Sequence, residues 1–266
     1  MIAGLAMRNR LYCFLSCCMV LLAAGSTLAA PVVLFDQGHK QQFLVEKEGA
    51  LDLSLFGGLF VERGALVQTS ESPLSKAGLE GVDVLVISGA FAPISEEEAV
   101  VIMDFLRQGG KVAMMTHIPS PYVSILPQLG VSVSNGVVRE QENIIGTNPT
   151  DFRVKDLTPH FLTSSIDTFS IFGGWALLAR NDEVHSIART SSRAWVDLNK
   201  NDLLDKQDAM QSFSMVLAGQ VGEGTFVVFG DDALFQNQFL IEENLILAKN
   251  LVTWFCGEAG KLAVSH

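Results

Sequence analysis

Residues 82–116 read VDVLVISGAFAPISEEEAVVIMDFLRQGGKVAMMT. Val82 to Ile87, apolar but for Asp83, has the length and composition of a buried strand, and Lys111 to Thr116 is a second strand. Between them Ser95 and Glu98 form the two ends of a capping box. Ala99, Ile102, Met103 and Leu106 then recur at i, i+3, i+4 and i+7, the stripe of an amphipathic helix that Gly109 and Gly110 terminate. Two strands with unbroken apolar interiors, Val84 to Ile87 and Val112 to Met115, joined by a helix predict a parallel pair with a right-handed crossover, because a sheet covered on both faces uses strands without alternation.

Upstream the same grammar repeats. Val32 to Phe35 is a short apolar run between Pro31 and Asp36. Leu51, Leu55 and Leu59 share one helical face, as do Phe56 and Phe60, and Gly64 is the stop. Ala65 to Thr69 reads as a strand, and Ser72 to Leu79 as a short helix or turn. From Val131 to Thr190 the apolar segments shorten and are separated by Asn, Gly and Ser. Phe169 to Phe172 and Trp175 to Leu178 flank Gly173-Gly174 in the pattern of a hairpin. The parallel pattern returns at Thr225 to Phe229, and a last helix is predicted from about Glu242 to Phe255. The expected architecture is therefore a three-layer α/β domain, residues 30–257, with a flavodoxin-like parallel sheet and a β-rich insertion at about 131–220.

The 266 residues include 18 basic and 29 acidic ones, a formal net charge of −11, which makes nucleic acid and anionic lipid poor partners. Arg8 and Arg10 precede an apolar run from Leu11 to Ala24, and no acidic residue appears before Asp36. This is the pattern of a signal peptide, residues 1–29, cut after Ala29, and it points to a periplasmic or secreted protein with no membrane span in the mature chain. An uncleaved anchor is the alternative, and lipid attachment at Cys17 or Cys18 is disfavoured because both lie inside the apolar run. Cleavage leaves Cys256 alone, so internal disulfides are not expected. Residues 258–266 read as a tail.

Ligands of open α/β sheets bind beyond the carboxyl ends of the strands. Those positions hold Asp36, Gln37, Gly38 and His39; Ser88 and Gly89; Thr116 and His117; and Asp231, Asp232 and Asn237. Asp36, His39 and Asp231 are the candidate catalytic residues for acid/base or metal-assisted hydrolysis, if they converge. Turn and cap chemistry is the competing explanation for each of these residues, and a structural role is the expectation for His117.

Asp36-Gln37-Gly38-His39, the Gly109-Gly110 turn into Lys111 to Thr116, and Val227 to Asp232 with Asn237 and Glu243-Asn244 together resemble an uncharacterised bacterial domain-of-unknown-function family. The resemblance spans Val32 to Phe255. It implies a class I glutamine amidotransferase-like, flavodoxin-type fold, similar to soluble domains of gliding-motility and ABC-transporter accessory proteins and to an intraflagellar-transport relative. Amidotransferases carry a cysteine nucleophile on a strand-to-helix turn with a histidine partner. Ser88-Gly89-Ala90 and Thr116-His117 supply no such cysteine, Gly-x-Ser-x-Gly is absent, and Cys256 falls in the last helix. Glutamine hydrolysis is not expected, and a non-catalytic binding or assembly module of the cell envelope is, with an envelope protein or small ligand as partner.

One further motif stands apart. Residues 197–208 place Asp197, Asn199, Asn201, Asp205 and Asp208 at positions 1, 3, 5, 9 and 12 of a calcium loop, with the Leu203 carbonyl at position 7. Asp202 stands where glycine is preferred. Calcium is the expected cofactor, and an acidic hairpin between Trp195 and Phe213 is the alternative.

Overall fold

The computed structural model describes residues 29–257; the signal-peptide reading of 1–28 and the tail at 258–266 lie outside these residues. Along the chain come β1 (Val32–Asp36), α1 (Ser54–Glu62), β2 (Leu66–Ser70), β3 (Val84–Ser88), α2 (Glu96–Arg107) and β4 (Lys111–Met115). The middle holds β5 (Val131–Arg139), β6 (Ile144–Ile145), β7 (Asn148–Val154), β8 (Asp156–Leu157), β9 (Phe169–Phe172), β10 (Trp175–Ala179), β11 (Val184–Arg189), β12 (Trp195–Val196) and β13 (Ala209–Met210). β14 (Ser214–Val221), β15 (Gly224–Phe229) and α3 (Glu242–Cys256) complete it.

The protein is a mixed α/β structure dominated by one 12-stranded mixed sheet. Its parallel part runs β2-β1-β3-β4-β15, and β14 then pairs antiparallel to β15. Alternation within each parallel strand serves two cores. Val33, Phe35, Val84, Val86, Ala113, Met115, Val227 and Phe229 pack with α1 and α3, while Leu34, Leu85, Ile87, Val112, Met114 and Val228 pack with α2. This double burial is why the interiors of β1, β3, β4 and β15 lack polar residues, whereas the edge strand β2, LVQTS, is largely exposed. The capping box of α2 forms as its sequence predicts, with Ser95 accepting from the Glu98 amide and Glu98 accepting from the Ser95 amide. α1 has no side-chain cap of its own; Asn237, 182 positions away, accepts the Leu55 amide at 2.9 Å.

The β-rich middle differs from expectation at one point. β9 and β10 do not form a hairpin: β9 pairs with β7 in a separate three-stranded sheet, and β10 pairs with β5 and β14 in the large one. Gly173, at φ +92°, turns the chain from one sheet to the other. The Gly173 amide bonds Thr150 and the Trp175 amide bonds Gly230, so both strands find other partners at the point where a hairpin would begin. Among the described residues no helix is long and apolar enough to cross a membrane.

Candidate functional site

The strand order reverses direction between β1 and β3, the point where open sheets leave a crevice at their carboxyl edge. Here the chain fills that point itself. Asp36 Oδ2 meets His39 Nδ1 at 2.7 Å and accepts Gln41 Nε2 at 2.6 Å, while His39 Nε2 lies 3.1 Å from Glu98 Oε1. Glu98 also accepts the amides of Leu74 and Ser95, and the His39 carbonyl accepts those of Phe91 and Ala92. All three side chains are buried. Burial lowers the His39 pKa, but the Asp36 and Glu98 carboxylates outweigh it and the net shift is upward. For Glu98 burial works upward and loses to the Ser95 and Leu74 amides and to His39, leaving a net downward shift. Every acceptor and both ring nitrogens are committed, so this cluster clamps the β1 loop to the start of α2.

A second cluster lies beyond β4 and β15. Asp231 accepts the Phe172 amide at 2.7 Å and the Ala233 amide at 2.9 Å; burial first, and the neighbouring Asp232 next, push its pKa up to about 8. Asp232 Oδ1 holds His117 Nδ1 at 3.1 Å, and Asp232 Oδ2 is buried with no partner. The hydrogen bond to Asp232 raises the His117 pKa, and the ring forms a triangle with Phe91 and Phe43, whose centroids lie 5.0 and 5.4 Å from it and 6.4 Å from each other. Its side chain is 37% exposed. Gly89, at φ +60°, packs so closely here that a Cβ would stand 2.6 Å from Asp232 Oδ2. Above this floor is a cavity of about 320 Å³ lined by His117, Asp231, Asp232, Asp151, Gln238 and the rings of Phe43, Phe172 and Phe239.

Asp36, His39 and Asp231 thus share the carboxyl edge without sharing a point. Two strands, β3 and β4, stand between β1 and β15, which separates the strand axes by roughly 14 Å. Asp36 pairs with His39, while Asp231 anchors β9 to the end of β15. Their convergence, which the hydrolase expectation requires, is replaced by two separate clusters. At this edge the histidine that reaches the surface is His117, expected to be structural, and its partner Asp232 was legible only as half of an acidic doublet. Phe43, Phe172, Phe239 and Asp151 carried no sequence signal for this site, since aromatic residues in strands and loops read first as core.

The 197–208 segment is a turn between the paired strands β12 and β13. Asp197 accepts the amides of Lys200, Asn201 and Asp202, and Asp202 adopts φ +62°, the left-handed conformation that position 6 demands. Asp205 accepts the Gln207 amide and the amides of Asn199 and Asn201 side chains, and Asp208 accepts those of Leu198 and Asp205. The Leu203 amide bonds Asn201. Among the described residues no group of three or more His, Cys, Asp or Glu side chains is disposed to hold a metal ion. Cys256 is partly buried at the end of α3, and burial pushes its thiol up to about 11.

A family model described as Domain of unknown function (DUF4350) matches residues 54–252, from the start of α1 nearly to the end of α3. The chain belongs to the DUF4350 family. Comparison with curated proteins gives no match. Among solved structures, this DUF4350 chain is similar to the mmIFT52 N-terminal domain, with a TM-score of 0.66 at 18% identity over 84% of this chain and 97% of that one. A cytoplasmic protein from Salmonella typhimurium LT2 follows at 0.55 and 14% identity, covering 85% and 99%. A thua-like protein from Bacteroides uniformis gives 0.52 and 12%, covering 88% and 96%. At such identities the likeness concerns the fold alone. It carries neither the amidotransferase assignment nor a motility link to this DUF4350 member.

Proposed function

We propose that the protein is an exported, non-catalytic binding module of the cell envelope, built on a flavodoxin-type three-layer α/β frame. Its ligand site is the cavity over His117 and Asp232. One observation supports the non-catalytic part: neither turn where an amidotransferase-like protein could present its nucleophile offers one, since the turn after β3 is occupied by Gly89 at φ +60° and the turn after β4 by Thr116, whose buried hydroxyl donates to the Phe229 carbonyl. Glycine has no side chain to react, and the Asp232 carboxylate fills the space a Cβ would need. The neighbouring Ser88 hydroxyl is buried and hydrogen-bonded to no base. The β1 histidine is also withdrawn from chemistry, because both its nitrogens are bonded to buried carboxylates.

The reading is tested in two steps. The mature protein isolated from the envelope or medium is sequenced from its N-terminus, with Ala30-Pro31 as the expected start. Purified protein is then assayed against nitrophenyl esters, glycosides and phosphates beside a His117→Ala variant. Equal background from both is expected, and turnover that vanishes with His117 would replace the binding module with a hydrolase using the Asp232–His117 pair.

A weak calcium site at Asp197–Asp208 belongs to the same proposal. It is supported by donor spacing and by the left-handed Asp202; binding would require Asp205 and Asp208 to release backbone amides, which sets the affinity low.

A further inference from the structure

The cavity over His117 is acidic and aromatic together, and neither lysine nor arginine lines it. Asp151, on β7, projects a half-buried carboxylate into its wall. Asp232, in its floor, has an oxygen that no protein group donates to, so its negative potential is not fully compensated. Phe172 and Phe239 stack with centroids 3.9 Å apart, and Phe43 stands beside His117. With Nδ1 donating to Asp232, the neutral His117 ring presents the lone pair of Nε2, an acceptor. An anion would meet carboxylates and an acceptor. A cation meets two carboxylates, the negative faces of aromatic rings, and a chain whose net charge of −11 concentrates cations around it.

The geometry points to an organic ammonium as the ligand: a primary amine with an apolar group, its charged end against Asp151 and His117 Nε2 over the Asp232 carboxylate, its apolar end among Phe43, Phe172 and Phe239. This rests on the binding-module reading and names the ligand class of that site. The amine has three N–H donors. Asp151 Oδ1 accepts the Thr150 hydroxyl at 3.3 Å, which leaves Asp151 Oδ2 and His117 Nε2 as the acceptors offered to the amine. Binding is expected to strengthen as the pH rises, because Asp231, pushed up to about 8, ionises in the same wall and His117, held above its ordinary value by Asp232, sheds its proton; Asp232 and Asp151 are the other charged groups facing the ring, and Phe43 and Phe91 carry none.

The test is a chemical-shift titration of the full mature protein at low salt and pH 8. The probes are phenethylammonium, its neutral isostere 2-phenylethanol and the anion 3-phenylpropanoate. Phenethylammonium is expected to shift the His117, Phe172 and Phe239 signals and to bind at least about tenfold more tightly than the alcohol. Asp151→Asn, on a half-buried strand position, should reduce it to the level of the alcohol without changing the fold. Nα-acetyl-lysine methylamide, as a second ammonium, separates a lysine side chain of a partner from a free amine. Equal or tighter binding of the alcohol or the anion overturns the ammonium assignment and leaves the cavity as a site. Silence from all probes overturns the assignment too. Conversion of phenethylammonium to a new product, lost in His117→Ala, would support the ligand class and sink the non-catalytic reading.

Discussion

The His39 ring bridges two buried carboxylates, with Asp36 at 2.7 Å on Nδ1 and Glu98 at 3.1 Å on Nε2. A residue of catalytic type is thereby spent on joining the first strand's loop to the helix that packs two strands away. It sits at the reversal of the sheet, where a ligand would otherwise enter.

His39→Ala is therefore expected to act on stability. It leaves two buried carboxylates facing each other without their shared partner, and breaking such an arrangement costs about 3 to 5 kcal/mol. Urea unfolding should show the loss, while binding at the His117 cavity by the surviving folded protein stays unchanged. A loss below about 1 kcal/mol would mean the cluster is solvated and open to other work.

Asp231 makes stability fall with rising pH. Its carboxyl titrates near 3.9 when unfolded and at about 8 in the fold. The folded state thus keeps a proton that the unfolded chain releases. The resulting stability is complete below the unfolded value and is lost progressively as pH rises through about 8, at roughly 1.4 kcal/mol per unit across that window. Asp231→Asn, which cannot titrate, should be less stable than the parent at pH 5, because one of the Phe172 and Ala233 amides loses its acceptor. The gap should close towards pH 8. Parallel stability curves for the two proteins from pH 5 to 8 would contradict the buried, protonated Asp231.

Gly89→Ala combines two penalties, a left-handed backbone and a Cβ 2.6 Å from Asp232 Oδ2. The backbone alone costs about 1 to 2 kcal/mol. Displacing Asp232 should also loosen its bond to Nδ1, so the His117 pKa is expected to fall back towards 6.5 in an imidazole titration. An unmoved His117 titration would show that the turn after β3 does not position this pair.

Calcium at several millimolar is expected to raise the melting temperature by a few degrees, because a ligand that binds only the folded chain stabilises it in proportion to the logarithm of its excess over Kd. Asp197→Ala and Asp208→Ala should each abolish that response. A response equal in both variants and parent, or none at all, would return the 197–208 turn to an acidic hairpin held by its own backbone amides.

The sequence by itself determined the strands β1 to β4 with the helices α1 and α2, the return of the parallel pattern at β15, and the capping box of α2; between β2 and β3, where a short helix or turn is expected at Ser72 to Leu79, the chain makes a turn. Each depends on a period of two or 3.6 residues, or on a spacing of three, and such patterns act within one element. The left-handed turn at Asp202 was legible for the same reason. Only the tertiary structure decided that Phe169–Phe172 and Trp175–Ala179 belong to different sheets, and that His39 turns to Glu98, 59 positions on. It also decided that His117 meets Asp232 across 115 residues. Those pairings are set by strand order and by which loop ends share an edge. A local hydrophobic pattern identifies a strand's buried faces, but its neighbours are chosen by packing over the whole chain, and the site is made of neighbours.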